Sequence, residues 1–257
     1  MQSLKERIAS YQDLSDYKLL NRIPLVISIN GRSFSKYTST LNKPFCNKFQ
    51  EGMLSALLKI CTEVEGAVFG YQFNDEINLI VRNDLTPEST PWYDNKIQKI
   101  CSAISSISSI HFNNFSLSEN LNTIGDPIFS TQIFTVPTIQ EATNFLIFKQ
   151  QSAFYSSINQ ACFYELLKKK DKQSIKNMLE GLTLDEKINI LQQECNIDYN
   201  DYPLIYRRGS ACYRSPRIVN DSIKNKWSLN TELPIFTEDS SFLANIIKNG
   251  YDVFRNS

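Results

Sequence analysis

Two adjacent carboxylates stand at the junction of two apolar segments. Asp75 and Glu76 follow Asn74, with an apolar run at 67–72 before them and another at 77–81 after them. This pattern predicts a β-hairpin whose turn is acidic. Carboxylates held at the end of a rigid sheet are suited to bind Mg²⁺ against a phosphate. In isolation, the same three residues are more often a polar hairpin turn than a metal site.

A second polar cluster follows an apolar run in the same way. The run 24–29 ends at Asn30-Gly31-Arg32. Two strand ends that carry polar groups, brought side by side, form the metal site of palm domains that polymerise nucleotides. The first strand offers Asn30, whose amide oxygen is neutral, although Mg²⁺ prefers anionic oxygen ligands.

The composition argues against several classes of protein. The chain has 257 residues with 27 basic and 27 acidic side chains, a balance that argues against a globally basic nucleic-acid binder. Its six cysteines form no C-x-x-C pair, which argues against a zinc site. Neither a P-loop nor a dinucleotide-binding glycine pattern is present. Without a signal peptide or an apolar run near ~20 residues, the sequence predicts a soluble, cytoplasmic protein with no membrane partner.

Hydrophobic periodicity predicts an alternation of helices and strands. Helices are expected at 3–20, 49–64 and 93–112, and strands at 25–29, 67–82 (a hairpin) and 128–136. After the first helix the order is strand, helix, strand, strand, helix, strand, which is the split β-α-β unit of palm domains. The predicted fold class is therefore α+β: a ferredoxin-like palm with an antiparallel sheet backed by helices, and a helical C-terminal extension.

The second half of the chain is predicted to pack on this palm as one compact unit. We place the boundary between a palm core at 1–137 and an extension with a C-terminal hairpin at 138–257. Residues 139–200 have mostly helical patterns. An aromatic and Arg-rich run at 199–217 suits either nucleotide or nucleic-acid contact or a hairpin with a polar outer face.

Local signals in the extension are helix starts and one basic cluster. Capping boxes are expected at 138–141 and 183–186. The lysine cluster 168–172 is interpreted as a solvated helix end, with contact to RNA phosphates as the alternative. The single histidine, His111, lies near the end of an apolar helix and is interpreted as structural.

Seven short motifs along the chain carry a family resemblance. In chain order they are Asn30-Gly31-Arg32, Lys43-Pro44, Asn74-Asp75-Glu76, Lys99-Ile100-Cys101-Ser102, Lys149-Gln150-Gln151, Arg207-Arg208-Gly209 and Trp227 with Pro234-Ile235-Phe236-Thr237. In this order and spacing, the chain resembles the tRNA-histidine guanylyltransferase superfamily of reverse (3′-to-5′) nucleotide polymerases. Its shorter, Thg1-like branch is the best match, and the resemblance extends from about residue 22 to residue 242.

This resemblance implies an activity and a set of catalytic residues. It implies a 3′-5′ nucleotidyltransferase that adds nucleotides to the 5′ end of tRNA, or repairs that end, by a two-metal mechanism. Two Mg²⁺ ions are implied, with ATP or GTP as substrates. The metal ligands would be Asn30, the carbonyl of Gly31 and Asp75. Asp75, Glu76 and Asn30 would be the catalytic residues, with Glu76 in support.

The resemblance also implies residues that bind the nucleotide. These are Asn74 and four basic residues, Lys43, Lys99, Lys149 and Arg208; Lys43 and Lys99 would neutralise triphosphate oxygens, with Arg208 in addition. The implied partners are nucleoside triphosphates and the 5′ end of tRNA or another RNA. A homo-oligomer, a tetramer by analogy with the family, is also implied.

Several positions depart from the family pattern. Asn30 replaces Asp, Asn74 replaces Ser, Gln132 replaces Arg, Lys149 replaces Arg, Ser152 replaces Asp and Ser156 replaces Asn. Two alternative functions therefore stay open. The first is a catalytically weakened or inactive homologue that binds RNA or nucleotide, and the second is a palm that makes another nucleotide product.

Overall fold

The strands of the chain form one antiparallel sheet. The computed structural model describes residues 2–219 and 222–253. From one edge to the other, the strands are β4 (Ile128–Thr135), β1 (Leu25–Arg32), β3 (Glu76–Val81), β2 (Ala67–Phe73), β5 (Ser210–Val219) and β6 (Ser222–Asn230). The first four have the 4-1-3-2 order of a split β-α-β unit, which confirms the predicted ferredoxin-like palm.

Helices cover both faces of this sheet. In the described residues they are α1 (Leu4–Asp13), α2 (Phe34–Tyr37), α3 (Asn47–Glu63), α4 (Ile97–Ser118), α5 (Ile139–Leu166), α6 (Lys172–Leu179), α7 (Leu184–Cys195), α8 (Leu204–Arg208) and α9 (Ser240–Asn249). Helices α3 and α4 pack on one face, and α5 and α9 pack on the other. No helix within these residues has both the length and the apolarity to span a membrane.

Burial on both faces explains why β1 is apolar at consecutive positions. Ile27 and Ile29 pack toward α3 and α4, whereas Val26 packs toward α5 and α9, and all three are fully buried. Successive side chains of a strand point to opposite faces of the sheet. A strand that is covered on both faces therefore has apolar residues at consecutive positions of its sequence. Each such side chain stabilises the fold by about 1.5–3 kcal/mol.

The C-terminal hairpin continues the palm sheet. Strand β5 pairs with the outer edge of β2, with Gly70 opposite Cys212, and β6 then forms the new edge. The extension also covers the palm through α5 and forms a separate apolar cluster around Ile158, Leu191 and Tyr199. The boundary at residue 137 stays a prediction.

Two helices differ from their predicted limits. The first ends at Asp13, because the chain beyond it is bound to the segment before α4: the amide of Leu19 donates to Asn95 O, and the Asn95 side chain donates to Leu20 O. Helix α4 begins at Ile97, after three residues with positive φ at 93–95, and continues to Ser118. Long-range hydrogen bonds outweigh the local periodicity in both places.

Candidate functional site

The acidic turn between β2 and β3 is held in place by side chains beneath it. Asn74 adopts a left-handed conformation (φ 50°), which asparagine tolerates better than most residues. The amide of Gln72 donates to Asn74 O over 2.7 Å. The side-chain oxygen of Gln72 (Oε1) accepts hydrogen bonds from the side-chain amide of Gln50 (2.6 Å) and the hydroxyl of Ser210 (2.8 Å). The buried Gln72 therefore fixes the turn that presents Asp75.

The two strand ends that the sequence predicts to meet lie side by side. Asn30 is opposite Glu76 in the β1–β3 register, and the amide of Gly31 donates to the backbone oxygen of Asp75 over 3.0 Å. Asn30, Asp75 and Glu76 line one small cavity. The structure thus brings together all four residues that the resemblance assigns to metal binding and catalysis.

We expect Gly31→Ala to destabilise the fold. An added Cβ would lie 2.4 Å from the ring of Phe34, which is enclosed by the rings of Phe49, Phe112 and Phe129. Because this ring has little room to move, a loss of about 1–3 kcal/mol in the free energy of unfolding is expected in urea titrations. The same substitution in a Phe34→Leu background should have a smaller cost, and equal costs would contradict this explanation.

Asp75 is a half-buried carboxylate that has no ion-pair partner among residues 2–219 and 222–253. Burial raises its pKa, and the nearby charge of Glu76 raises it further. Among the described residues, no side chain donates a hydrogen bond to this carboxylate or forms an ion pair with it. A hydrogen bond from its own backbone amide offsets part of this rise in pKa, but a carboxylate that loses hydration without gaining a cationic partner is unfavourable. Such a group is typical of a site that binds a cation or a ligand.

Glu76 differs from Asp75 because it has partners within the protein. It forms an ion pair with Lys149 and accepts a hydrogen bond from the Asn78 amide over 2.9 Å. The side-chain oxygen of Asn78 in turn accepts a hydrogen bond from the hydroxyl of Ser28 over 2.7 Å. Lys149 therefore lies in the predicted site, where it compensates the charge of Glu76. This leaves Asp75 as the carboxylate with free ligand capacity.

Two cavities meet at the acidic turn. The large cavity has a volume of about 550 Å³ and lies between the loop 38–46, the turn and α5. The small cavity has a volume of about 210 Å³ and is lined by Asn30, Glu76, Lys149 and Ser156 among others. Asn74 and Asp75 line both cavities. A ligand in either one therefore contacts the turn.

The large cavity has the size and lining that suit a nucleotide. Its volume falls in the range of about 300–1,000 Å³ that is usual for small-molecule sites. Phe45 and Tyr206 stack at one wall with ring centroids 4.6 Å apart. The ammonium of Lys43 lies 5.2 Å from the centroid of the Tyr164 ring and 3.4 Å from Thr38 Oγ1. Burial lowers the pKa of Lys43.

Two predicted nucleotide-binding residues lie outside both cavities. Lys99 lines a separate depression between α4 and β4 with Ser102 and Thr131. The guanidinium of Arg208, at the end of α8, donates to Leu233 O over 3.0 Å. Their proposed contacts with a triphosphate stay predictions.

Sequence reasoning missed most of the walls of the large cavity. Tyr206 has a signal in the aromatic and Arg-rich run, but Gln160 and Tyr164 on α5 have none. Their exposure to the cavity depends on how α5 packs across the loop 38–46. The amide of Gln160 reaches Pro44 O and joins the two elements.

The oxygen donors at the turn fit a hard divalent cation. No three His, Cys, Asp or Glu side chains form a metal cluster within residues 2–219 and 222–253. A cation here would depend on the carboxylate of Asp75, the amide oxygen of Asn30 and the carbonyl of Gly31. Oxygen ligands of this kind suit Mg²⁺, and Asp75, which has no ion-pair partner among the described residues, supplies the charge.

Comparisons with known proteins show which family and which fold this chain resembles. Residues 5–137 match the family model described as tRNAHis guanylyltransferase, and residues 140–245 match the Thg1 C terminal domain. A protein of Dictyostelium discoideum named probable tRNA(His) guanylyltransferase is 27% identical over 208 residues, which are 77% of this chain and 78% of that relative.

Solved structures of similar fold come from a bacterial tRNA(His) guanylyltransferase (Thg1)-like protein. Its complex with ATP has a TM-score of 0.84 and 23% identity, and the match covers 96% of this chain and 100% of that chain. Its complex with GTP has a TM-score of 0.77 and 23% identity, and the match covers 96% and 99%. At this identity, the likeness shows the shared fold.

Proposed function

The chain belongs to the tRNAHis guanylyltransferase family, and from that premise we propose that it adds nucleotides to the 5′ end of tRNA in the 3′-to-5′ direction. The family membership supports the predicted class of nucleotidyltransferase. The substrates proposed are ATP or GTP and a tRNA, because the bacterial neighbours of the same fold bind ATP and GTP.

One observation supports this proposal more than any other. The large cavity and the small cavity share Asn74 and Asp75, so that two substrates can reach one carboxylate that forms no ion pair among the described residues. A polymerisation site needs such a junction, because the hydroxyl of one nucleotide must approach the phosphate of another. We assign the nucleotide base to the large cavity, beside Phe45 and Tyr206.

In the proposed reaction, the 3′-hydroxyl of a nucleotide attacks the activated 5′ phosphate of the RNA, and pyrophosphate or AMP leaves. Asp75, the Asn30 amide oxygen and the Gly31 carbonyl would hold two Mg²⁺ ions. When bound, these ions would neutralise negative charge on the phosphates and lower the pKa of the attacking hydroxyl. Lys43 orients the triphosphate, and Asn74 fixes the position of Asp75.

The test is Mg²⁺-dependent incorporation of labelled nucleotide into a tRNA that lacks its first 5′ nucleotide. We expect a product longer at its 5′ end, formed with Mg²⁺ and abolished by EDTA. A product formed without any RNA would instead indicate synthesis of another nucleotide. No incorporation by the wild type, and none by Asn30→Asp, would contradict the enzymatic function.

A weakened or inactive homologue is the second candidate, and two features favour it. Asn30 is neutral at a position where the family pattern has a carboxylate, and Glu76 is already paired with Lys149. This candidate predicts binding of tRNA or GTP without turnover, unaffected by EDTA and by Asp75→Ala. The homo-oligomer and the cytoplasmic location also stay predictions.

A further inference from the structure

The lysine cluster at the end of α5 has no part in the proposed reaction, and the structure divides it into two pairs. Lys169 donates to Glu194 O over 2.6 Å, and Lys170 forms an ion pair with the Glu194 carboxylate at 3.1 Å. These two lysines are bound to the end of α7. Lys168 and Lys172 point elsewhere and line a groove. Two lysines of the cluster therefore contact the end of α7, and the other two line the groove.

This lysine groove is continuous with the large cavity. It has a volume of about 480 Å³ and is lined by Ser39, Lys43, Tyr164, Leu167, Lys168 and Lys172 among others. Lys43 and Tyr164 also line the large cavity, so they stand at the junction of the two. Asp75 lines the large cavity and not the groove. The groove therefore extends the nucleotide site away from the carboxylate.

The groove carries a net positive charge. Within the part of the chain that the structure describes, no carboxylate is part of its lining. Glu165 pairs with Lys168 at 2.6 Å, and Asp171 accepts hydrogen bonds from the amides of Gln173 and Ser174 at the start of α6. Lys172 is exposed and, among the described residues, neither it nor Lys43 forms an ion pair. Two uncompensated ammonium groups therefore face the groove.

We propose that the lysine groove binds backbone phosphates of the RNA substrate, an inference that rests on the proposed function. A single nucleotide whose phosphates reach Asp75 cannot also place them in a groove on the far side of Lys43. A polynucleotide can, because it carries a phosphate at every residue. Ammonium groups and serine hydroxyls contact phosphates without reading the bases, so the groove positions the strand and does not select its sequence.

The test measures RNA affinity by fluorescence anisotropy with a labelled, 5′-truncated tRNA. Lys172→Glu is the informative variant, because Lys172 is exposed at the first turn of α6, where a carboxylate favours the helix. Lys5→Glu is the matched control, since Lys5 is exposed in the first turn of α1. We expect Lys172→Glu to weaken RNA binding about fivefold or more and to reduce the salt slope by roughly one.

GTP affinity, measured on the same variants, separates RNA from free nucleotide. We expect it to be unchanged in Lys172→Glu and in Lys5→Glu. An RNA affinity that falls no further in Lys172→Glu than in Lys5→Glu would overturn the proposal, as would an equal fall in GTP affinity or a wild type that binds no RNA. A wild type that binds RNA without incorporating nucleotide would defeat the proposed reaction alone, since the groove is tested by binding.

Discussion

Replacing Asp75 with asparagine is expected to reduce nucleotide incorporation by about 10²–10³-fold or more, the range found when one transition-state electrostatic group is removed. The change keeps the shape of the side chain and removes its charge. Glu76 cannot take over this role while Lys149 holds it. The measurement is single-turnover incorporation into 5′-truncated tRNA at saturating Mg²⁺.

Thermal unfolding of the same variant shows whether the loss concerns chemistry or folding. The pKa of Asp75 is raised in the folded protein, so the folded state favours the protonated carboxyl and its ionised form is destabilising. Without metal at pH 7, Asp75→Asn should therefore have a higher Tm than the wild type. The difference should disappear once the pH falls below the ordinary carboxyl pKa. A lower Tm at pH 7 would mean that the substitution destabilises the fold, and the lost activity would then not be evidence for a role of Asp75 in the chemical step.

Asn30→Asp is expected to have the largest effect in the opposite direction. It places a third carboxylate beside Asp75 and Glu76, in the small cavity that the side chains at 30, 75 and 76 all line. Mg²⁺ affinity and incorporation should rise by about tenfold or more, because a neutral ligand becomes anionic. Without metal, three neighbouring carboxylates repel one another, so the Tm of the variant should fall.

The clearest readout for Asn30→Asp is the rise in Tm that Mg²⁺ produces. A ligand that binds only the folded state stabilises it by an amount that grows with the logarithm of the ratio of ligand concentration to Kd. Tighter binding of Mg²⁺ therefore gives a larger rise in Tm. Asn114→Asp, on an exposed position of α4, is the matched control for the added charge. If Mg²⁺ raises the Tm of both variants equally, Asn30 is not a metal ligand.

The palm fold could be predicted because its signals are local. The apolar run that forms β1, the acidic hairpin and the 3.6-residue periodicity of α3 each identify one element. The capping box at the start of α7 is present, with Thr183 and Glu186 bound reciprocally. Prediction failed at residues 14–20 and 93–96, because hydrogen bonds between these two segments determine where their helices end and begin.

The candidate site could likewise be predicted only where signals in the sequence determine which residues meet. Asn30 and Asp75 could be placed together because the split β-α-β order sets β1 beside β3, with Asn30 opposite Glu76. Predicting the ion pair between Lys149 and Glu76 requires knowledge of how α5 crosses the sheet. Lys99 and Arg208 were expected at the triphosphate from their motifs alone; neither lines the two cavities that meet at the turn, and their contacts with a triphosphate stay predictions. Motif order carries no information on the direction of a side chain.

The pairing of β2 with β5 has a consequence for the nascent chain on the ribosome. The four strands of the palm leave the exit tunnel before β5 does, so the outer edge of β2 stays unpaired until Cys212 and its neighbours have also emerged. An open strand edge can pair with another chain and aggregate, so this interval favours chaperone binding during translation. On this side of the sheet the final edge is β6, which carries Lys224 and Lys226, and such charges discourage further strand addition.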